Sequence, residues 1–270
     1  MKFGCCASLK LYDKVEGAGY DFIEIPGWEL AEFDPAGFLQ AEKLISAGSI
    51  PCLAVNAYAK TEPKMVGEGF EIEKIVSYAE TIMERAARLG VKTVGIGAPG
   101  IRRLSPDYDR NRAWEQGKEF LKITCGIAEK YDITVLFEPV HKYLCDFGVY
   151  ADEVYAMVDE LKLKNLKMVL DYYNMKPMGT DLFDVEKYMK YALHLHTSGI
   201  GENYSRPQIA ERDYDELVKI FESVLALGYD RTFSNESDNS CFDTQGAKAL
   251  HIIKKAYAEA DRRLRNSPAI

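Results

Sequence analysis

The feature that most limits how this chain can fold is a strand-then-helix alternation that runs from one end to the other. Short β-branched or aromatic runs predict strands at residues 2–7, 21–25, 50–55 and 92–96. Four more lie within VLFEP, MVLDYYN, ALHLHTSG and RTFSNES, between Val135 and Glu236. The clearest helical pattern places Ile72, Ile75, Val76, Ala79, Ile82, Met83 and Ala86 at three- and four-residue steps, with Gly90 as the C-terminal stop. Pro35 opens another helix where its missing N–H costs little, and Gly48 closes it. Further helices are expected over residues 108–130, 151–161, 182–188, 213–227 and 244–264, with a short helical piece ending at Glu16 and an unstructured tail, NSPAI.

Strands alternating with helices imply parallel βαβ units. Eight such units in 270 residues imply one α/β domain spanning residues 1–270, a closed (β/α)8 TIM barrel. An open doubly wound sheet calls for a glycine-rich turn after the first strand, and GCCASLK contains no GxGxxG.

The balance of 47% hydrophobic and 28% charged residues is that of a soluble globular chain. No apolar run nears the roughly eighteen residues of a membrane helix, and MKFGCCASLKLYDK lacks a signal peptide's apolar core. The expectation is a cytoplasmic protein with no membrane partner, monomeric or homo-oligomeric. A net charge of −8 argues against nucleic acid, whose phosphates are bound by clustered Lys and Arg. The basic groups Arg102-Arg103 with Arg110 and Arg112, and Lys254-Lys255 with Arg262-Arg263, are short and read as solvated surface. Six cysteines without a CxxC pair are expected to be reduced and mostly buried.

The last four strand runs end at or near Glu138, Asp171, His196 and Glu236. Active sites of these barrels sit at the C-terminal strand ends, so all four residues would face one mouth from one contiguous half of the wall. Singly, each has an ordinary role: a loop acid before Pro139, a turn cap, a buried hydrogen-bonded histidine, an unremarkable glutamate. Together they form an oxygen-rich donor set with one nitrogen. Such a set suits one divalent ion, Mn2+ best, with Mg2+, Co2+, Fe2+ and Zn2+ also compatible. Three crowded carboxylates also repel one another unless a cation lies among them. By strand alternation His194 points to the same face as His196, one layer deeper, as its partner or as a structural histidine. His141 falls on the loop above the site, as a substrate contact or an ordinary loop residue, and His251 lies in the final helix.

These motifs resemble the sugar (phosphate) isomerase/epimerase family with the xylose-isomerase-like barrel, which includes ketose 3-epimerases, hydroxypyruvate isomerase and inosose dehydratases. FEPV resembles the family's strand-end Glu, LDYYNM its Asp-x-x-His motif and ALHLHTSG its His-x-His motif. DYDELVKIFESVLALGYDRTFSNES resembles its last helix and strand, and KFGCCAS and AGYDFIEI extend a weaker likeness to the first two strands. The resemblance implies that Glu138, Asp171, His196 and Glu236 hold the metal and that Glu138 and Glu236 also form the acid/base pair. It implies a small sugar or sugar phosphate as substrate, with proton transfer through a metal-stabilised enediolate. Glu24, Asn56 and Trp28, near the ends of the early strands, would line the sugar pocket.

Two departures bear on substrate. The Asp-x-x-His imidazole is replaced by the amide of Asn174, which hydrogen-bonds a hydroxyl but carries no proton at neutral pH. The arginine expected soon after the ligand histidine is displaced to Arg206, in a lengthened loop. Rival readings are a metal-assisted lyase or dehydratase acting on a keto-sugar or cyclitol, and a carbohydrate-binding barrel without turnover. Endonuclease IV shares the barrel but uses a histidine-rich three-metal site, and four histidines with an acidic balance do not suit it.

Overall fold

The computed structural model describes residues 1–180 and 185–266. Eight parallel strands close into a barrel in chain order, each paired with the next and the last with the first. They are β1 (Lys2–Cys6), β2 (Phe22–Pro26), β3 (Cys52–Asn56), β4 (Thr93–Ile96), β5 (Thr134–Phe137), β6 (Leu166–Asp171), β7 (Ala192–Thr197) and β8 (Thr232–Asn235). The wrapping helices are α1 (Tyr12–Gly17), α2 (Gly27–Glu32), α3 (Pro35–Ala47), α4 (Ile72–Arg88), α5 (Arg110–Glu129), α6 (Ala151–Leu161), α7 (Tyr172–Met175), α8 (Tyr214–Ala226) and α9 (Phe242–Asn266). The strands read as apolar runs because both faces are covered, by the packed interior on one side and the helices on the other.

Element ends agree with the sequence reading to within about two residues, the usual fraying of helix and strand termini. Of the helix expected over 182–188, residues 182–184 lie outside the described residues, and Glu186–Lys190 form a 3-10 turn. Of the tail expected to be unstructured, Asn266 still belongs to α9, and the rest lies outside the described residues. The α4 stripe buries Ile75, Ala79, Ile82, Met83 and Ala86, but Ile72 at its first position is 45% exposed, ahead of the turn that meets the barrel. Full burial of each large aliphatic there contributes about 1.5–3 kcal/mol. Five cysteines are buried, Cys241 is exposed, and none forms a disulfide.

One surface assignment is overturned. Arg102 is fully buried, not solvated. Its Nη1 donates to the carbonyls of Glu138 at 2.8 Å and Gly148 at 3.4 Å, its Nη2 to Ile96 at 3.0 Å, and its Nε to Ala98 at 3.3 Å. The guanidinium also stands 5.2 Å from the centre of the Phe137 ring. A charge this deep is tolerated because carbonyl dipoles replace its lost water. Those carbonyls belong to the chain leaving β4 and β5, so Arg102 ties the two strand ends together and fixes the backbone of Glu138.

The register carries the side chains of the mouth into adjacent layers. Cys6 pairs with Glu24 across β1–β2, Asp171 with His196 across β6–β7, and His194 with Thr232 across β7–β8. Among the described residues no helix is long and apolar enough to cross a membrane.

Candidate functional site

The period of two along β7 turns His194 and His196 to the same interior face, and both are buried. Glu24 reaches them from β2, across the barrel. Its Oε2 accepts from His194 Nε2 at 2.9 Å, and both its oxygens lie 3.2 Å from His196 Nε2. A carboxylate can only accept here, so both histidines carry their proton on Nε2. The Thr232 hydroxyl then donates to His194 Nδ1 at 2.7 Å, which completes a neutral His194. Burial lowers the pKa of His194. Burial disfavours charge on His196 as well, but Glu24 and then Cys6 and Glu236 carry its pKa well above the ordinary imidazole range. Burial would likewise raise Glu24, and His196 and His194 instead hold it well below the usual carboxylate range.

With Nε2 committed to Glu24, His196 Nδ1 is a buried atom without a hydrogen-bond partner. Two carboxylates approach it, Glu236 Oε2 at 3.5 Å and Glu138 Oε1 at 3.9 Å. Glu138, His196 and Glu236 form one group whose donor atoms lie close enough to hold a metal ion, and Cys6, Glu24 and His196 form a second.

Glu138 follows β5 directly and is almost wholly buried. Its side chain fits because residue 97 is glycine: a Cβ there would lie 1.8 Å from Glu138 Oε2. Asn174 Nδ2 donates to Glu138 Oε1 at 3.1 Å. Burial, reinforced by the charges of Glu236 and Asp171 and opposed by His196, pushes the Glu138 carboxyl up to about 7. Glu236, directly after β8, behaves oppositely. Burial would raise it, but Arg206 and His196 hold it down at about 2. Its Oε1 accepts from Asn56 Nδ2 at 2.9 Å and its Oε2 from Arg206 Nη1 at 2.7 Å.

Asp171 lies beside this group. Its Oδ1 caps α7 by accepting from the Tyr173 backbone N–H at 3.0 Å. Its Oδ2 accepts from Asn174 Nδ2 at 2.6 Å and Arg206 Nη2 at 2.8 Å. Asn174 therefore bridges Asp171 to Glu138, and Arg206 bridges Asp171 to Glu236. The guanidinium of Arg206 packs 3.9 Å from the centre of the Tyr173 ring.

The structure thus gathers Glu138, Asp171, His196, Glu236, Asn174, Arg206 and Asn56 at one mouth. Trp28 lines a cavity of about 390 Å3 there with Cys6, Asn56, Arg206 and Glu236, and Lys60 Nζ sits 4.3 Å over its ring. Glu24 departs from its expected place on the pocket wall: it lies behind His196, spent on two imidazoles. His141 is completely buried, both its ring nitrogens lack partners, and its ring stands 5.1–5.7 Å from those of Tyr204, Tyr143 and Tyr173. Sequence reasoning missed Cys6, Gly97, Arg102 and Tyr173. A strand-end position was the available signal for Cys6, and nothing local marked the others.

The family described as xylose isomerase-like TIM barrel matches residues 12–264. No curated protein matches the sequence. Among solved structures, a D-tagatose 3-epimerase-like protein superposes with a TM-score of 0.81 at 20% identity, covering 98% of this chain and 100% of that one. The 3-keto-D-glucoside 4-epimerase YcjR from E. coli gives 0.76 at 16% identity, covering 94% and 99%. The IOLI protein, crystallised with a bound zinc atom, gives 0.74 at 19% identity, covering 97% and 99%. At these identities the likeness is one of fold.

Proposed function

We propose that this chain, which belongs to the xylose isomerase-like TIM barrel family, is a metal-dependent sugar epimerase or isomerase that moves a proton between substrate carbon and the pair Glu138 and Glu236. The observation that carries this reading is the convergence of two carboxyls on one imidazole nitrogen at the barrel mouth. Glu138, buried, and Glu236, partly buried, approach His196 Nδ1 at 3.9 and 3.5 Å, and their surroundings push the two acids apart, Glu138 up to about 7 and Glu236 down to about 2. Environments that push two acids apart in this way assign them complementary roles.

A metal ion fits the residues present. His196 Nδ1 is a buried nitrogen without a hydrogen-bond partner, and the contact of Nε2 with Glu24 is the arrangement that orients a ligand histidine. The neighbouring donors are carboxylate oxygens, a set suited to Mn2+ and its relatives. Glu138, Asp171, His196 and Glu236 would hold the ion, which would supply positive charge to acidify the C–H beside a bound carbonyl and stabilise the enediolate oxygen.

The chain's own groups handle the protons. Glu236, kept ionised by Arg206 and His196, takes the proton from one face of the reacting carbon. Glu138, the second carboxyl beside His196, delivers a proton to the other face, which inverts that carbon. Delivery to the adjacent carbon interconverts ketose and aldose. Exchange with solvent resets the pair, and the reverse reaction uses the two acids in swapped roles. Arg206 and Asn56 hold Glu236 in place, and Asn174 holds Glu138. Trp28, on the cavity lining, is a candidate sugar contact, whereas the buried His141 packs among the rings of Tyr143, Tyr173 and Tyr204. The names of the structural neighbours, sugar 3- and 4-epimerases among them, support the substrate class.

The test is to incubate the Mn2+-loaded protein with free and phosphorylated ketoses in D2O. Deuterium at the carbon beside the carbonyl, abolished in Glu138→Gln and Glu236→Gln, is the expected result. Water loss from the sugar would mark a lyase instead, and full turnover in either variant would overturn the assignment.

A further inference from the structure

Beside the carboxylates, the barrel mouth holds a second donor set of different chemistry. Cys6 ends β1 and stands in register with Glu24 on β2, and His196 reaches both from β7. The Cys6 Sγ, a Glu24 carboxylate oxygen and a His196 ring nitrogen lie within 4.8 Å of one another. All three residues are buried, yet Cys6 also lines the cavity at the mouth, so an ion entering there meets its sulfur. Sulfur, nitrogen and carboxylate oxygen together make a ligand set for Zn2+ and other thiophilic ions, whereas Glu138, Asp171 and Glu236 offer oxygen alone.

The contact that now joins His196 to Glu24 is the weaker of the two that Glu24 makes. His194 Nε2 donates to Glu24 Oε2 at 2.9 Å, but His196 Nε2 is shared between both oxygens, each at 3.2 Å. A donor aimed between two acceptors is well aligned with neither. The same separation suits an ion. Zinc bonds of about 2.0–2.1 Å to nitrogen and oxygen, meeting at a tetrahedral angle, hold those two atoms roughly 3.3 Å apart. Cys6 supplies the third ligand, and His194 stays on Glu24 Oε2 to orient the carboxylate.

We infer that Cys6, Glu24 and His196 form a second cation site, selective for a thiophilic divalent ion of the Zn2+ class, and that its ion binds Nε2 of His196. On binding, the thiol proton leaves to solvent and the thiolate sulfur bonds the ion. Nε2 exchanges its proton for the ion, and that proton passes to Nδ1 or, where Nδ1 already holds one, to solvent.

The site has a consequence for the carboxylate set, which rests on the metal-dependent reading above. That set uses the other nitrogen of the same ring, since Glu236 Oε2 and Glu138 Oε1 stand 3.5 and 3.9 Å from Nδ1. An ion on Nε2 leaves the ring's remaining proton on Nδ1, where a second ion cannot bind. Holding both ions requires the ring to shed both protons. A thiophilic ion and Mn2+ therefore oppose each other through one imidazole.

The experiment is a titration of Cd2+ into the chelator-treated, dialysed protein, followed by the thiolate-to-cadmium charge-transfer absorption in the ultraviolet and by calorimetry. A saturable band is expected. Cys6→Ser should remove it, while Cys241→Ser, which changes the exposed thiol, and Glu138→Gln should leave it. Glu24→Gln should weaken Cd2+ binding at least about tenfold, a loss typical even of residues that only support a ligand. Mn2+ added in excess should erode the band. X-ray absorption at the cadmium edge, showing a sulfur neighbour in Cys241→Ser, keeps the test independent of how well Cys6→Ser folds.

The inference is overturned if Cd2+ produces no thiolate band, if the band survives Cys6→Ser, or if Mn2+ binds without diminishing it. A Cys6-dependent band in a protein that binds no Mn2+ would support the thiophilic site and sink the metal-dependent reading of the carboxylates. Deuterium uptake by the Mn2+-loaded protein, with no thiolate band from Cd2+, would sink this inference alone.

Discussion

The replacement Glu138→Gln should change how the stability of the metal-free protein depends on pH, and the size of the change follows from the site. Burial, with Glu236 and Asp171 nearby, raises the Glu138 carboxyl from 4.5 to about 7. The folded state thus holds this proton more tightly than the unfolded chain does. The contribution is complete below pH 4.5 and is lost as pH rises toward 7, where an unneutralised buried carboxylate must form. At about 1.36 kcal/mol per decade, the interval amounts to about 3 kcal/mol. Glutamine is neutral throughout and can still accept from Asn174 Nδ2, so any fixed cost of the amide is constant with pH. The stability difference, variant minus wild type, should therefore climb by about 3 kcal/mol between pH 4.5 and 8. In thermal melts with chelator, that is a relative gain of roughly 6–12 °C for a chain of this length. Added Mn2+ should close the gap above pH 7 by stabilising the ionised wild-type carboxylate. Melting temperatures that stay parallel across the pH range would refute the reasoning.

Three further outcomes test the surrounding framework. Glu24→Gln removes the charged acceptor behind His196 and should weaken Mn2+ binding roughly 10- to 100-fold by calorimetry, so an unchanged affinity would show that Glu24 does not orient the imidazole. Gly97→Ala puts a methyl group 1.8 Å from Glu138 Oε2 and should cost about 1–3 kcal/mol in urea unfolding. The same variant should slow deuterium exchange disproportionately, and full exchange activity would refute the close contact. Arg102→Met strips donors from the carbonyls of Ile96, Ala98, Glu138 and Gly148 and should cost at least about 3 kcal/mol. A urea midpoint close to that of wild type would restore the solvated reading of Arg102.

What the sequence revealed and what it hid divide along a physical line. The strands were legible because each is a short β-branched run closed by turn residues, and their parallel order followed from the helices between them. Glu138, Asp171, His196 and Glu236 were legible together because equivalent strand ends share one mouth whatever the details of packing. Glu24 was placed at the right end of β2 but given the wrong task. Its partners stand on β7, separated from β2 by β8 and β1, and only closure of the barrel brings them within 3.2 Å. Arg102 was misread for a similar reason. An Arg-Arg pair in a loop looks solvated until the carbonyls of two strand ends and a distant glycine converge on it.

Arg206 changes the reason for expecting a metal. Crowded carboxylates alone do not require one, because the chain carries its own counter-charge: Arg206 bridges Asp171 and Glu236 at 2.8 and 2.7 Å. Glu138 has no such partner and avoids repulsion by keeping its proton. What the guanidinium leaves unanswered is His196 Nδ1, buried beside two carboxylate oxygens. A proton there satisfies one direction at a time, and Glu24, Cys6 and Glu236, against the effect of burial, raise the pKa of His196 and favour positive charge at that ring. A divalent ion would satisfy the nitrogen and both oxygens together, in competition with protons on His196 and Glu138. Affinity for Mn2+ should therefore rise steeply with pH, with protons released on binding. Calorimetry in buffers of different ionisation enthalpy counts those protons. A release of none between pH 6 and 7 would mean that the ion does not bind through these two residues.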